Sequence, residues 1–133
     1  MENLHEIHNL VLRRHKKADE NLILNSWLRS ARNHPEFSPM SNELYYKEYA
    51  LRIQNYLENA ECYVLCEFTD PDHIYGYIVF DSEKKLIHFI YIKFPFRKFG
   101  FAKKLLELVA PDYEATFFSK RNKHVFNPFK RGF

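Results

Sequence analysis

The chain has 133 residues, 46% of them hydrophobic and 17% aromatic, and it carries a formal net charge of +3. This apolar content excludes a chain that is disordered throughout, and the length predicts a single domain, 1–133, with one buried core. The charge is uneven, because residues 93–133 hold ten Lys/Arg and three Asp/Glu while the first 92 residues have a net charge of −4. An anionic partner is therefore expected at the last third of the chain.

The two cysteines, Cys62 and Cys66, lie four residues apart in a strand-like run. They are predicted to be buried free thiols, since they lack the paired Cys/His spacing of a metal site. No apolar signal region precedes the first charges, and no apolar run is long enough to span a membrane. A reducing, cytoplasmic setting without a bound metal is expected.

The first half of the chain predicts one strand and two helices. Residues 7–13 alternate weakly and predict a strand. A helical stripe begins after Asp19, which is its expected N-cap, and two prolines within residues 33–40 predict a loop. Ser41 is expected to cap a second helix whose apolar stripe reaches Leu57.

The middle of the chain predicts three successive antiparallel strands at residues 62–68, 74–80 and 86–92. Polar turn residues at 69–72 and 81–85 separate them. The third strand is a nearly unbroken apolar run, which is typical of a strand buried on both faces.

The joint after this third strand is the most informative stretch of the sequence. From Phe101 to Val109 apolar residues recur at helical spacing, so a strand runs into a helix. Between them Arg97, Gly100 and Ala102 form an R-x-x-G-x-A pattern. A glycine-bearing turn at a helix N-terminus presents unpaired N–H groups and the positive end of the helix dipole, and this combination binds phosphate.

The segment Arg97-Lys98-Phe99-Gly100-Phe101-Ala102 resembles the R/Q-x-x-G-x-G/A signature of the GNAT superfamily of N-acetyltransferases. The specific part of the resemblance covers about residues 74–110. It implies an α+β, GNAT-like (acyl-CoA N-acyltransferase) fold with a mostly antiparallel central sheet and flanking helices, shortened at its C-terminus. The layout is similar to that of small GNAT-like proteins often encoded by bacteriophages.

The resemblance also implies a co-substrate, acetyl-CoA, and transfer of its acetyl group to an amine of a protein or small molecule. The pyrophosphate would lie in the turn, and strand N–H groups would hold the acetyl carbonyl. The residues expected to bind acetyl-CoA are Ile90, Ile92, Arg97, Lys98, Phe99, Gly100, Phe101, Ala102 and Lys103.

His88 and Tyr91 are the titratable groups of the third predicted strand, and His88 has the better intrinsic pKa for a base that takes the amine proton. A core histidine with satisfied ring nitrogens is the alternative. GNAT enzymes usually supply a Tyr as the acid for the leaving thiolate. This chain has no Tyr after Tyr113, so Ser119 or water is expected to replace it.

Three tyrosines of the second predicted helix, Tyr46, Tyr49 and Tyr56, would flank the acceptor pocket in a GNAT protein. Ordinary half-buried packing, with the hydroxyl in water, is the favoured interpretation of all three.

The last third of the chain completes the prediction. Residues 114–119 predict a short strand placed beside 86–92 by a crossover, and the two are expected to diverge at the end nearest Arg97. Residues 120–133 form a basic, aromatic tail. Two alternatives stay open: a basic module that binds nucleic acid weakly and non-specifically, and a catalytically silent GNAT-fold protein with a structural or inhibitory role toward a protein partner.

Overall fold

The computed structural model describes residues 10–109 and 114–115 of the chain. The described strands are β1 (Leu10–Arg14), β2 (Glu61–Glu67), β3 (Asp70–Asp81), β4 (Leu86–Ile92) and β5 (Glu114–Ala115). The described helices are α1 (Glu20–Ala31), α2 (Asn42–Asn59) and α3 (Phe101–Val109), with short 3-10 turns at Lys17–Asp19 and Phe94–Phe96.

The strands form one sheet in the order β1-β2-β3-β4-β5. β1 to β4 pair antiparallel, and β5 pairs parallel to the start of β4, where Leu86 and Ile87 face Glu114 and Ala115. The predicted, mostly antiparallel sheet is confirmed, and β4 has the predicted bounds. The predicted divergence of residues 116–118 from β4 and the first residues of the predicted strand 7–13 lie outside the described residues.

The sheet carries helices on both faces. α1 and α2 pack on one face, where Trp27 and Phe89 are buried, while α3 packs on the other, where Ile90 and Ile92 are buried. Successive side chains of a strand point to opposite faces, so β4 needs apolar residues at nearly every position. Burial on both faces of the sheet therefore explains the unbroken apolar run of β4.

Trp27 is the centre of the core between the helices and the sheet. Its ring lies fully buried and stacks on Tyr56 at 5.5 Å and on Phe89 at 4.8 Å. Its Nε1 donates a hydrogen bond of 3.1 Å to the hydroxyl of Tyr49. Tyr49 is 3% exposed, so the prediction that its hydroxyl lies in water was wrong. The indole N–H is the hydrogen-bond partner of this hydroxyl instead of water. Tyr46, in contrast, is exposed.

Two local predictions, about the start of α1 and about the turn before β3, differ from the structure. Asp19 is the N-cap residue of α1, as predicted, but its side chain makes no capping hydrogen bond with that helix. Its carboxylate instead accepts hydrogen bonds from Arg13 at 2.7 and 3.1 Å and from the backbone N–H of Lys16 at 2.8 Å. β3 begins at Asp70 rather than after a turn at 69–72, and the carbonyl of Pro71 accepts from the same Arg13 guanidinium. Hydrogen bonds from Arg13 of β1 are therefore common to both differences.

The Ser41 prediction is confirmed, since its Oγ accepts a hydrogen bond from the N–H of Leu44 and caps α2. Cys62 and Cys66 are buried free thiols, as predicted. Within residues 10–109, no helix is long and apolar enough to cross a membrane.

We expect Asp19→Asn to lower the free energy of unfolding by roughly 2–3 kcal/mol at pH 7, because it leaves the Arg13 guanidinium without its charged partner. Burial raises the pKa of the Asp19 carboxyl, but the hydrogen bonds from Arg13 and Lys16 outweigh burial and lower it below the ordinary 3.8. A lowered pKa means that the stabilisation is present above pH 3.8 and is lost as the pH falls through the folded-state value.

Urea denaturation of both proteins at several pH values measures this difference. Asp72→Asn is the matched control, since the Asp72 carboxylate is exposed and pairs only with Lys16 among the described residues; it should cost no more than about 1 kcal/mol. A stability gap between wild type and Asp19→Asn that stays constant down to pH 2 would contradict the assignment.

Gly76 lies where β3 passes close to β4. A Cβ atom at this position would lie 2.3 Å from the carbonyl oxygen of Tyr91 and 2.6 Å from a side-chain carbon of Ile92. We therefore expect Gly76→Ala to cost roughly 1–3 kcal/mol of stability, because the two strands must move apart. Ser82→Ala in the exposed tip of the next hairpin is the control and should be neutral. Equal urea midpoints for the two variants would refute the close approach.

Candidate functional site

The turn that follows β4 brings the predicted phosphate-binding residues together. After the 3-10 turn Phe94–Phe96, Lys98 and Gly100 adopt left-handed conformations with φ of 73° and 82°. The first bond into α3 runs from the N–H of Lys104 to the carbonyl of Gly100. Across the described part of the chain, the N–H groups of residues 98–103 donate to no backbone carbonyl. A run of unpaired donors thus surrounds the N-terminus of α3.

No described residue fills the space above this turn. A Cβ atom placed on Gly100 would have no described neighbour within 4 Å, so this glycine is needed for its φ and leaves room for a ligand to approach the backbone. Lys98 adopts the same conformation with a side chain, at a cost of about 1–2 kcal/mol. Such strain is concentrated at binding sites in proteins.

Arg97 fastens the turn to the end of β4. Its Nε donates a hydrogen bond of 2.7 Å to the carbonyl of Ile92, and its guanidinium lies over the rings of Tyr91 at 5.4 Å and Phe94 at 5.7 Å. Its two terminal nitrogens make no hydrogen bond to a described residue. Arg97 therefore shapes the turn with one donor and keeps the others available.

Aromatic rings anchor the turn from the α3 side of the sheet. Phe96 packs edge-to-face on Tyr75 at 4.7 Å, and Tyr75 contacts Phe101 at 5.3 Å. The hydroxyl of Tyr75 donates a hydrogen bond of 2.6 Å to the Glu67 carboxylate. The side chains of Phe101 and Ala102 are buried in this core, so only their backbone can meet a ligand.

Charge around the turn is positive. Residues 93–109 contain five basic side chains and one acidic side chain. The positive end of the α3 dipole adds to this charge, and an anion is the ligand that fits. The basic residues are Lys93, Arg97, Lys98, Lys103 and Lys104.

The outer edge of β4 continues the row of donors. The N–H of Lys93 bonds to the carbonyl of Tyr75, opposite it on β3. Hydrogen-bonded and non-bonded pairs alternate along an antiparallel ladder, so the N–H groups of Ile92 and Ile90 point away from β3. Their side chains are buried against α3, and only these N–H groups are offered to the edge.

His88 occupies a β-bulge in β4. Phe80 pairs with Ile87 and Val79 with Phe89, so His88 has no partner on β3. The extra residue turns its ring toward α2, where it stacks on Tyr56 at 4.3 Å. Its Nδ1 is buried without a hydrogen-bond partner. Burial lowers the pKa of His88, while Asp81 and Lys84 act on it in opposite directions.

Tyr91 lies on the same face of β4 as His88. Its ring contacts Tyr77 at 5.5 Å and is covered by the Arg97 guanidinium at 5.4 Å. The other predicted catalytic residue, Ser119, lies outside the described residues. The structure thus brings His88, Tyr91, the β4 edge and the turn together along one strand.

Three features of this site were missed from the sequence. The bulge at His88 leaves no mark in a run that is apolar on both faces. The stack of Tyr56 on His88 joins residues 32 positions apart, and no pattern links them. The left-handed Lys98 has no signal either, because Lys is not a residue that favours this conformation.

Among the described side chains, no group of three His, Cys, Asp or Glu could hold a metal ion.

No protein-family model matches the sequence, and no curated protein matches it. Among solved structures, apo YjaB from Escherichia coli superposes with a TM-score of 0.56 at 20% identity, covering 80% of this chain and 69% of that chain. A possible acetyltransferase from Clostridium difficile 630 gives 0.53 at 14% identity, covering 75% of this chain and 68% of that one. The described residues thus have the α+β, GNAT-like fold that the sequence predicts.

Proposed function

We propose that this chain is an acetyl-CoA-dependent N-acetyltransferase, which transfers the acetyl group to an amine of a protein or small molecule. One observation carries the proposal. In a GNAT-like fold, backbone N–H groups that have no partner among the described residues run along the outer edge of β4 and into the turn at the N-terminus of α3.

The turn is suited to the pyrophosphate of CoA. The N–H groups of Phe99, Gly100, Phe101 and Ala102 would donate to its oxygens, with the free nitrogens of Arg97 and the cations of Lys98 and Lys103 beside them. Hydrogen bonds between N–H groups and a charged oxygen are about twice as strong as neutral ones. A diphosphate therefore fits this site better than an uncharged ligand does.

The outer edge of β4 is suited to the thioester. When an amine attacks the acetyl carbonyl, negative charge develops on its oxygen, and N–H donors fixed in advance stabilise that charge. The N–H groups of Ile90 and Ile92 would be those donors. They belong to a buried strand, so they need no reorganisation during the reaction.

The α1/α2 face of β4 would receive the acceptor amine, with His88 and Tyr91 beside it. During transfer the amine nitrogen bonds to the carbonyl carbon and the carbon–sulfur bond breaks. CoA leaves as a thiolate, and the proton of the amine passes to water or to a side chain. Ser119 or water would assist the thiolate, as the sequence suggests.

We expect calorimetry to detect CoA binding to the wild-type chain and to detect none with Gly100→Asn. Asn tolerates the left-handed conformation better than most residues, so the turn keeps its shape, while its side chain fills the space above the N–H groups. Gly100→Val should lose both the shape and the binding. Thermal unfolding of Gly100→Asn checks that the fold survives.

The matched control is Lys98→Gly. It relieves a strained conformation, so it should raise stability by about 1 kcal/mol, and it should weaken CoA binding only a few-fold because one charge is lost. A wild-type chain that gives neither heat nor a thermal shift at millimolar CoA would falsify the proposed function. CoA binding by Gly100→Asn equal to that of wild type would remove the turn from the site.

A further inference from the structure

We propose that His88 is held as a neutral imidazole with its proton on Nε2, and that it donates a hydrogen bond to the thioester carbonyl oxygen instead of accepting the amine proton. The first half concerns the free protein and follows from the surroundings of the ring. The second half rests on the proposed acetyltransferase function.

The position of the ring is fixed by aromatic packing. Tyr56 stacks on His88 at 4.3 Å with an angle of 21° between the rings, and Tyr56 stacks in turn on Trp27 at 5.5 Å and 3°. Trp27 is fully buried and hydrogen-bonded to Tyr49, so the stack rests on a rigid base. This packing therefore holds the plane of the His88 ring against α2.

The two ring nitrogens differ in their surroundings. Among the described residues, Nδ1 is buried and has no hydrogen-bond partner. Nε2 also makes no hydrogen bond to a described residue, but it is not one of the buried atoms that lack a partner. Water or a ligand can therefore satisfy Nε2 in either state. A buried N–H without an acceptor is rarer in proteins than a buried acceptor without a donor. The proton is thus favoured on Nε2, and Nδ1 is unprotonated.

A charged imidazolium is disfavoured for the same reason. Both nitrogens of a protonated histidine are donors, so the charged form would place an unpaired N–H at the buried Nδ1. The charged groups that act on the ring, Asp81 and Lys84, have opposite signs and oppose each other. A histidine that serves as a base normally has a partner that orients its far nitrogen. Among the described residues, none serves His88 as that partner.

A neutral N–H donor has a use in acyl transfer. The amine forms its bond to the carbonyl carbon, the carbon–sulfur bond breaks, CoA leaves as thiolate and the amine proton goes to water. His88 neither gains nor loses a proton in this sequence. Its Nε2–H would share the developing oxyanion with the N–H groups of the β4 edge, where one more fixed donor lowers the barrier.

Nitrogen-15 NMR of the free protein tests the first half, because protonated and bare ring nitrogens give different chemical shifts. We expect the proton on Nε2 in the wild type, and a rise in the pKa of His88 in Tyr56→Ala, where water reaches Nδ1. Tyr46→Ala is the matched control on the same helix, since Tyr46 is exposed and packs on Tyr45 rather than on His88. It should leave both quantities unchanged.

Calorimetry with acetyl-CoA and with CoA tests the second half. We expect the wild type to bind acetyl-CoA about fivefold more tightly than CoA, the value of one neutral hydrogen bond. His88→Gln, whose amide can donate but cannot act as a base, should keep this ratio, and His88→Ala should lose it.

The outcomes separate the two halves. A proton found on Nδ1 overturns the proposal whatever the ligands do. If the proton is on Nε2 but His88→Gln loses the preference for acetyl-CoA over CoA, only the donor role is overturned. If the proton is on Nε2 but neither acetyl-CoA nor CoA binds, the donor role and the proposed function are both overturned. The protonation state of the ring is then still established.

Discussion

The packing of Trp27 between Tyr56 and Phe89 is the contact on which the rest of the site depends. It joins one residue from α1, one from α2 and one from β4, so the helix pair and the strand hold a single relative position. His88 extends the same stack by one ring. Without the indole, the helix pair and the stack of Tyr56 on His88 would both lose their contact with the centre of the core. The core of this chain and its candidate chemistry thus share one set of contacts.

The double burial of β4 explains why the site consists mostly of backbone. Side chains that fill two cores cannot also meet a ligand, so the strand offers its N–H groups at the edge instead. The same holds at the start of α3, where Phe101 and Ala102 face inward. A site of this kind constrains side-chain identity weakly.

The sequence predicted the parts of the structure that depend on local pattern. β4, the Ser41 cap and the strand-turn-helix joint each follow from spacing within a few residues, and all are present. Asp19 and Tyr49 were misjudged because their partners, Arg13 and Trp27, come from other elements of the chain. The bulge at His88 depends on the register between two strands, which an apolar run does not encode. The roles of the predicted site residues stay predictions.

The bond between Arg97 and the carbonyl of Ile92 has a consequence for the rate of ligand association. The turn receives its shape from contacts inside the chain, including the packing of Phe96 on Tyr75, and does not need an anion to fold around. An anion that bound at this candidate site would exchange water for N–H groups that already point toward it. Its association rate would then depend on diffusion and on the field of the surrounding lysines, and added salt would slow association by weakening that field.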